Sequence, residues 1–157
     1  MSRSGADLAL LLLAGFRTMA DQGAAELSKL GYDDVRPAHD FALHSILAGA
    51  DSASALGRAM HVTKQAAAKT IALLEERGYV AREPDPADKR RMRLRVTERG
   101  LSMLREGEAV FDRLRQRWEE QAGAHDVAAL EETLRRFVGS NVIQIDSPGW
   151  DARDPEV

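Results

Sequence analysis

Residues 56–100 read LGRAMHVTKQAAAKTIALLEERGYVAREPDPADKRRMRLRVTERG, and the order of signals inside that stretch decides the fold. Thr63 stands before an apolar-periodic segment and carries the hydroxyl that accepts from the orphan N–H groups at a helix start. Gly78, after Glu75, Glu76 and Arg77, is a left-handed helix stop. Tyr79–Arg82 then reads as a strand, and Pro84, Asp85 and Pro86 as a loop that prevents regular pairing. Met92, Leu94 and Val96 alternate with Arg91, Arg93 and Arg95, the pattern of a half-buried return strand.

Working outward, Thr97 can cap a long helix reaching about Gln121, in which Leu104, Phe111 and Trp118 recur at seven-residue intervals beside Leu101 and Leu114. A last helix is expected near Asp126–Val142, with Leu130, Leu134 and Phe137 on one side. Upstream, helical spacing covers about residues 5–30 and stops at Gly31. Pro37 opens a second helix carrying Phe41, Leu43, Ile46 and Leu47 and ending near Gly49. Asp51 or Ser52 can cap a third, Ser54–Met60. The fold expected is mainly α with a small β-hairpin wing: a winged helix-turn-helix with N- and C-terminal dimerisation helices, because the outer apolar seams exceed what a small domain needs internally. The expected parts are residues 1–35, an N-terminal dimerisation helix; 36–99, the winged helix-turn-helix; 100–143, C-terminal dimerisation helices; and 144–157, a poorly ordered extension containing Pro148 and Pro155.

The formal charge of −3 conceals an uneven distribution. Between Arg58 and Arg99 there are 11 Lys/Arg against 6 Asp/Glu, leaving 11 against 19 in the remainder. A basic module on an acidic body suits a polyanionic partner without indiscriminate adhesion. The chain has no cysteine, which excludes thiolate metal sites, disulfides and thiol redox sensing within it. The run Leu8–Ala14 after Arg3 has the length of a signal-peptide core and is too short to span a bilayer. Asp7 sits where a positive region would belong, so the run reads as a buried amphipathic helix, and the chain as cytoplasmic with no membrane partner.

With Thr63 as cap, Ala67, Ile71 and Leu74 share one face of the following helix while Lys64, Gln65, Ala68, Lys69 and Ala72 share the other. The outward set suits a DNA major groove. Gln65 can donate and accept at an adenine edge, Ala68 is small enough for close approach and can meet a thymine methyl, and the two lysines suit phosphate or guanine. In the hairpin, Lys89, Arg90, Arg91, Arg93 and Arg95 crowd one ribbon, with Arg82 added from the first strand, and their repulsion calls for a nearby anion. Asp88 can pair with the Arg90 guanidinium and shape the tip, or serve as plain turn chemistry. The candidate DNA contacts are therefore Thr63, Lys64, Gln65, Ala68, Lys69, Arg82, Lys89, Arg90, Arg91 and Arg93, with double-stranded DNA as partner.

Residues 36–100 resemble the MarR family of winged helix-turn-helix regulators through LGRAMHVTK at the first helix and turn, LLEERGYV at the end of the recognition helix, and DPADKRR with LRVTERG across the wing. The resemblance implies a homodimer that binds a pseudo-palindromic operator and represses transcription. Lys64, Gln65, Ala68 and Lys69 stand at the family's groove-facing positions and Arg90 at its wing-tip arginine. Two positions depart from the family pattern: His61 falls where glycine is common, and Gly57 replaces an alanine, both at the turn whose angle they set.

The resemblance further implies a small aromatic or phenolic effector, for which Phe16, Met19, His39, Phe41 and His44, with Met103, are candidate contacts. Each is equally a core residue by type. His39, Asp40 and His44 invite a metal reading, but His39 and His44 lie about 140° apart around a helix, so no metal site is assigned. No Gly-rich phosphate loop, nucleophile elbow or triad context is present, so no cofactor, catalytic residue or enzyme activity is expected. Two alternatives stand beside a ligand-responsive repressor: a winged-helix dimer whose basic wing binds an acidic protein partner, and a metal-responsive regulator.

Overall fold

The computed structural model describes residues 4–139. Their elements run α1 (Gly5–Lys29), α2 (Pro37–Leu47), α3 (Ala53–Met60), α4 (Lys64–Glu76), β1 (Val80–Pro84), β2 (Met92–Val96), α5 (Glu98–Ala122) and α6 (Ala124–Val138). They form two compact units, one of residues 4–34 with 107–139 and one of residues 35–106. The mainly α, winged helix-turn-helix architecture expected from the sequence is the one present. The 144–157 extension and the end of the last helix expected near Val142 lie outside the described residues.

In the 35–106 unit, α2 begins at Pro37, whose fixed φ suits a first helical turn. Ser52 Oγ accepts the Ala55 amide at 3.2 Å, which settles the cap of α3 on Ser52 rather than Asp51. Thr63 Oγ1 accepts the Ala66 amide at 3.1 Å and starts α4. The core is built from Leu43, Leu56, Ile71, Leu74, Tyr79 and Met103, all fully buried. β1 and β2 pair antiparallel in the register Val80–Val96, Arg82–Leu94, Pro84–Met92. The expectation that Pro84 breaks pairing is corrected here: Pro84 ends β1 opposite Met92. In a two-stranded ribbon an outward-facing backbone site needs no N–H donor, so proline fits.

The base of the hairpin is locked by the Thr97–Gly100 segment. Thr97 Oγ1 donates to the Gly78 carbonyl at 2.5 Å and accepts the Gly100 amide at 3.1 Å, while the Thr97 amide donates to the Tyr79 carbonyl at 2.9 Å. Gly100 is required by space, since a Cβ there would lie 2.4 Å from the Tyr79 carbonyl oxygen. Thus the Thr-x-x-Gly pattern of the sequence is the joint that starts α5 and closes the wing.

In the unit formed by 4–34 and 107–139, α1 is capped reciprocally: Ser4 Oγ accepts the Asp7 amide and Asp7 Oδ2 accepts the Ser4 amide. Ala20, Leu27, Val110, Leu114 and Val127 are buried. Arg115 clasps both oxygens of Glu131, at 2.9 and 3.1 Å, and also donates to Glu119, pinning α6 to α5. The Leu8–Ala14 run was expected to be buried. Instead Leu8, Leu10 and Leu11 are more than half exposed, because the buried stripe of α1 begins only at Ala20 and nothing described in the single chain covers the earlier turns. Trp118, Leu130 and Phe137, read as seam residues, are exposed as well.

Candidate nucleic-acid interface

The helix-turn-helix is formed by α3 and α4 across His61–Thr63. Val62 donates its amide to the Gly57 carbonyl at 2.9 Å, folding the turn back on α3. A Cβ on Gly57 would stand 3.0 Å from the Val62 carbonyl oxygen, so the missing side chain sets how closely the turn approaches. His61 ends α3 in the left-handed conformation, φ 54° and ψ 37°. That explains both departures from the family pattern: the residue where glycine is common adopts the backbone shape glycine favours, and the glycine sits where the chain doubles back.

Along α4, Ala67, Ile71 and Leu74 are fully buried, whereas Lys64, Gln65, Ala68, Lys69 and Ala72 are exposed. The two faces fall as the cap position predicted. Thr63 is exposed, with its hydroxyl committed to the cap. Beside the turn, Ser54, Gly57, Arg58, His61, Val62 and Lys64 line an open depression with two cations at its rim. Arg58 and Ser54 were missed by sequence reasoning, because α3 lies apart from the groove-facing helix in the chain and only the folded turn brings them beside Lys64.

The wing departs from its expected electrostatics. Strand alternation and the register put Arg95, Glu83, Arg93, Asp85 and Arg91 on one face, and Val80, Arg82, Leu94 and Val96 on the other. On the first face Arg93 donates from Nε and Nη2 to Glu83 Oε1 at 3.0 and 2.7 Å, and Arg95 Nε donates to Glu83 Oε2 at 2.8 Å. Hydrogen bonding to Arg93, with Arg95 second among the charged partners, holds the Glu83 carboxyl below the ordinary carboxylate range. Arg91 donates to Asp51 at 2.6 Å and to Asp85 at 3.4 Å.

The sequence argument that crowded arginines demand an external anion is therefore corrected: carboxylates of the same chain already face them. Arg82 is corrected too. It does not join the arginine row but lies on the opposite face and reaches back to Glu75 of α4 at 3.0 Å. Among the described residues Lys89 and Arg90 at the tip, and Lys64 and Lys69 on α4, have no carboxylate partner. Asp88 shapes the tip through the backbone, accepting the Arg90 amide on its side chain at 3.1 Å and the Arg91 amide on its carbonyl at 2.9 Å, and it leaves the Arg90 guanidinium open. Glu83, Asp85, Asp51 and Glu75 were overlooked as site residues; counting the hairpin register outward from Val80 and Val96 would have paired Glu83 with Arg93.

The candidate effector residues divide between the units, Phe16 and Met19 on α1 in one, His39, Phe41 and His44 on α2 in the other. Met103 is fully buried in the core of the latter unit. His39 is buried, and its Nδ1 accepts the Arg36 amide at 3.2 Å, which makes it part of the entry to α2. His44 Nε2 lies 3.6 Å from Asp40 Oδ2 on the exposed side of the same helix. No group of three metal-binding side chains occurs among the described residues. No described helix is long and apolar enough to cross a membrane.

Residues 34–91 match the model of the MarR family. Among solved structures, YusO from Bacillus subtilis is 21% identical over 88% of this chain and 99% of its own, with a TM-score of 0.65. Wild-type MarR from E. coli, in its apo form, is 23% identical over 88% of this chain and 99% of its own, with a TM-score of 0.62. A mutant of MepR from S. aureus, solved bound to an oligodeoxyribonucleotide, is 16% identical over 90% of this chain and 100% of its own, with a TM-score of 0.58. At these identities the likeness is one of fold.

Proposed function

We propose, from the match of residues 34–91 to the model of the MarR family, that the chain is a homodimeric, sequence-specific DNA-binding regulator of that family, not an enzyme, that represses from a pseudo-palindromic operator in the cytoplasm. The observation that carries the reading is the α4 face of Lys64, Gln65, Ala68, Lys69 and Ala72, exposed and backed by a buried apolar face. A helix so presented fits a major groove, with Gln65 and Ala68 at base edges and the lysines on phosphates. Lys89 and Arg90, free of carboxylates at the wing tip, add affinity from the neighbouring groove or backbone.

Two recognition helices of a dimer must sit about one DNA turn apart, roughly 34 Å, so an effector that stabilises another separation releases the operator. The effector we propose is a small aromatic or phenolic acid. Selection of bound duplexes from a random DNA pool, run beside sedimentation of the purified protein, tests the whole reading. The expected result is a dimer and a recovered palindrome whose half-sites are about 10 base pairs apart. A monomer, or a protein that retains no duplex in dilute buffer, overturns it.

A further inference from the structure

The face of the wing that carries Arg91, Arg93 and Arg95 also carries two carboxylates set between them. Glu83, directly across from Arg93 and diagonal to Arg95, gives one oxygen to each guanidinium, and Asp85 with Asp51 holds Arg91. Three arginines on this face thus meet three carboxylates, and its net charge is close to neutral while the tip beyond it keeps Lys89 and Arg90 unneutralised. A carboxylate bridging two guanidiniums occupies the donors that would otherwise meet phosphate oxygens, in the same charge-assisted geometry.

We propose that Glu83 is a specificity-determining residue: by occupying Arg93 and Arg95 it withholds two wing cations from casual contact with any DNA backbone, so that binding to unmatched duplex rests on the tip and α4 alone. The inference rests on the DNA-binding reading above. Glu83 and both arginines are partly exposed, so the clasp is an equilibrium and not a lock. A matched duplex, held by base contacts from α4, presents its phosphates to the wing long enough to compete with Glu83. An unmatched duplex does not. Discrimination therefore comes partly from lowering affinity for the wrong DNA, not only from raising it for the right one.

The test is a salt series on the full-length protein with two duplexes, the selected operator and a random sequence, comparing wild type, Glu83→Gln and Arg93→Gln/Arg95→Gln. Each phosphate neutralised adds about 0.9 to the slope of log affinity against log salt. Glu83→Gln is expected to steepen the random-duplex slope by about 1–2, and to reduce the operator-to-random affinity ratio several-fold. The double arginine variant is expected to leave the random-duplex slope of wild type unchanged, which keeps the test decisive should Glu83→Gln fold poorly. Equal slopes for wild type and Glu83→Gln, or a random-duplex slope that falls in the arginine variant, would overturn the proposal while leaving DNA binding intact. A wild type that binds neither duplex overturns the proposal together with the reading beneath it.

Discussion

Arg91 Nη2 donates to Asp51 Oδ1 at 2.6 Å across forty residues of chain. Asp51 holds the wing a second time through its backbone, where its carbonyl accepts the Leu94 amide at 2.9 Å. One residue of the α2–α3 connection therefore anchors β2 by charge and by main chain. Asp51→Asn separates the two. Because the pair is half-exposed, the substitution is expected to lower stability by less than about 1 kcal/mol. Amide exchange should accelerate at Asp85 and Arg91, which close the outer ribbon, while Leu94 keeps its protection. Loss of protection at Leu94 would show that the ion pair, not the backbone bond, holds the strand.

The groove-facing and wing-tip residues should fail differently. Gln65→Ala is expected to cost about 1–3 kcal/mol at one base pair of the operator and little on random duplex. Arg90→Ala should weaken binding to both and flatten the salt slope by about 1. Gel shifts over a salt series separate the two; equal losses of the Gln65 variant on operator and random DNA refute its assignment.

Gly100 and Gly15 make a paired test of why each glycine is there. A Cβ at Gly100 meets the Tyr79 carbonyl at 2.4 Å, whereas one at Gly15, inside α1, meets nothing within 4 Å. Gly100→Ala should destabilise by roughly 1–3 kcal/mol through forced displacement of the wing joint. Gly15→Ala should stabilise by about 0.5–1 kcal/mol through helix propensity. Urea denaturation reads both.

His61 holds a left-handed backbone although it carries a Cβ, which disfavours that conformation. Its conformation costs on the order of 1–2 kcal/mol for an L-residue. His61→Gly should relieve that strain and raise the melting temperature modestly, with part of the gain returned to the entropy of the unfolded chain. A lower melting temperature would mean that the imidazole makes a stabilising contact.

Glu131 is held below the usual carboxylate value of 4.5, first by its hydrogen bonds from Arg115. A depressed folded-state pKa adds stability that is present in full above the unfolded value and is lost as pH falls through the folded one. Glu131→Gln should therefore be less stable than wild type at pH near 7, and the gap should narrow once acid drops below the ordinary carboxylate range. A gap that persists unchanged in acid would assign the loss to shape instead of charge.

How far the sequence could be followed depended on the range of the signal. The α4 faces were legible because one cap, Thr63, and a 3.6-residue period assign every side chain after it. The Thr97–Gly100 joint was visible as a pattern, though its cause, the approach of Gly100 to the Tyr79 carbonyl, needed coordinates. The wing's carboxylates were missed because partners across a hairpin depend on where the loop ends, and Pro84 was assigned to the loop when it belongs to β1. Arg82 was misplaced for the same reason: without the register its face could not be known. The exposure of Leu8–Leu11 was not legible either, since a helical period says that an apolar side exists but not what covers it.

The Asp85 amide closes the ribbon on the Arg91 carbonyl at 2.8 Å, and everything beyond that rung is tip. Residues 86–90 can thus be lengthened or rewritten without disturbing what lies below. A single deletion within 92–96 is another matter: it would swap the two sides of β2, thrusting guanidiniums into the site of Leu94 and Val96 and turning aliphatic groups to water. The appendage thereby combines an adjustable reach with an inflexible frame, provided that Lys89 and Arg90 are kept at its fingertip.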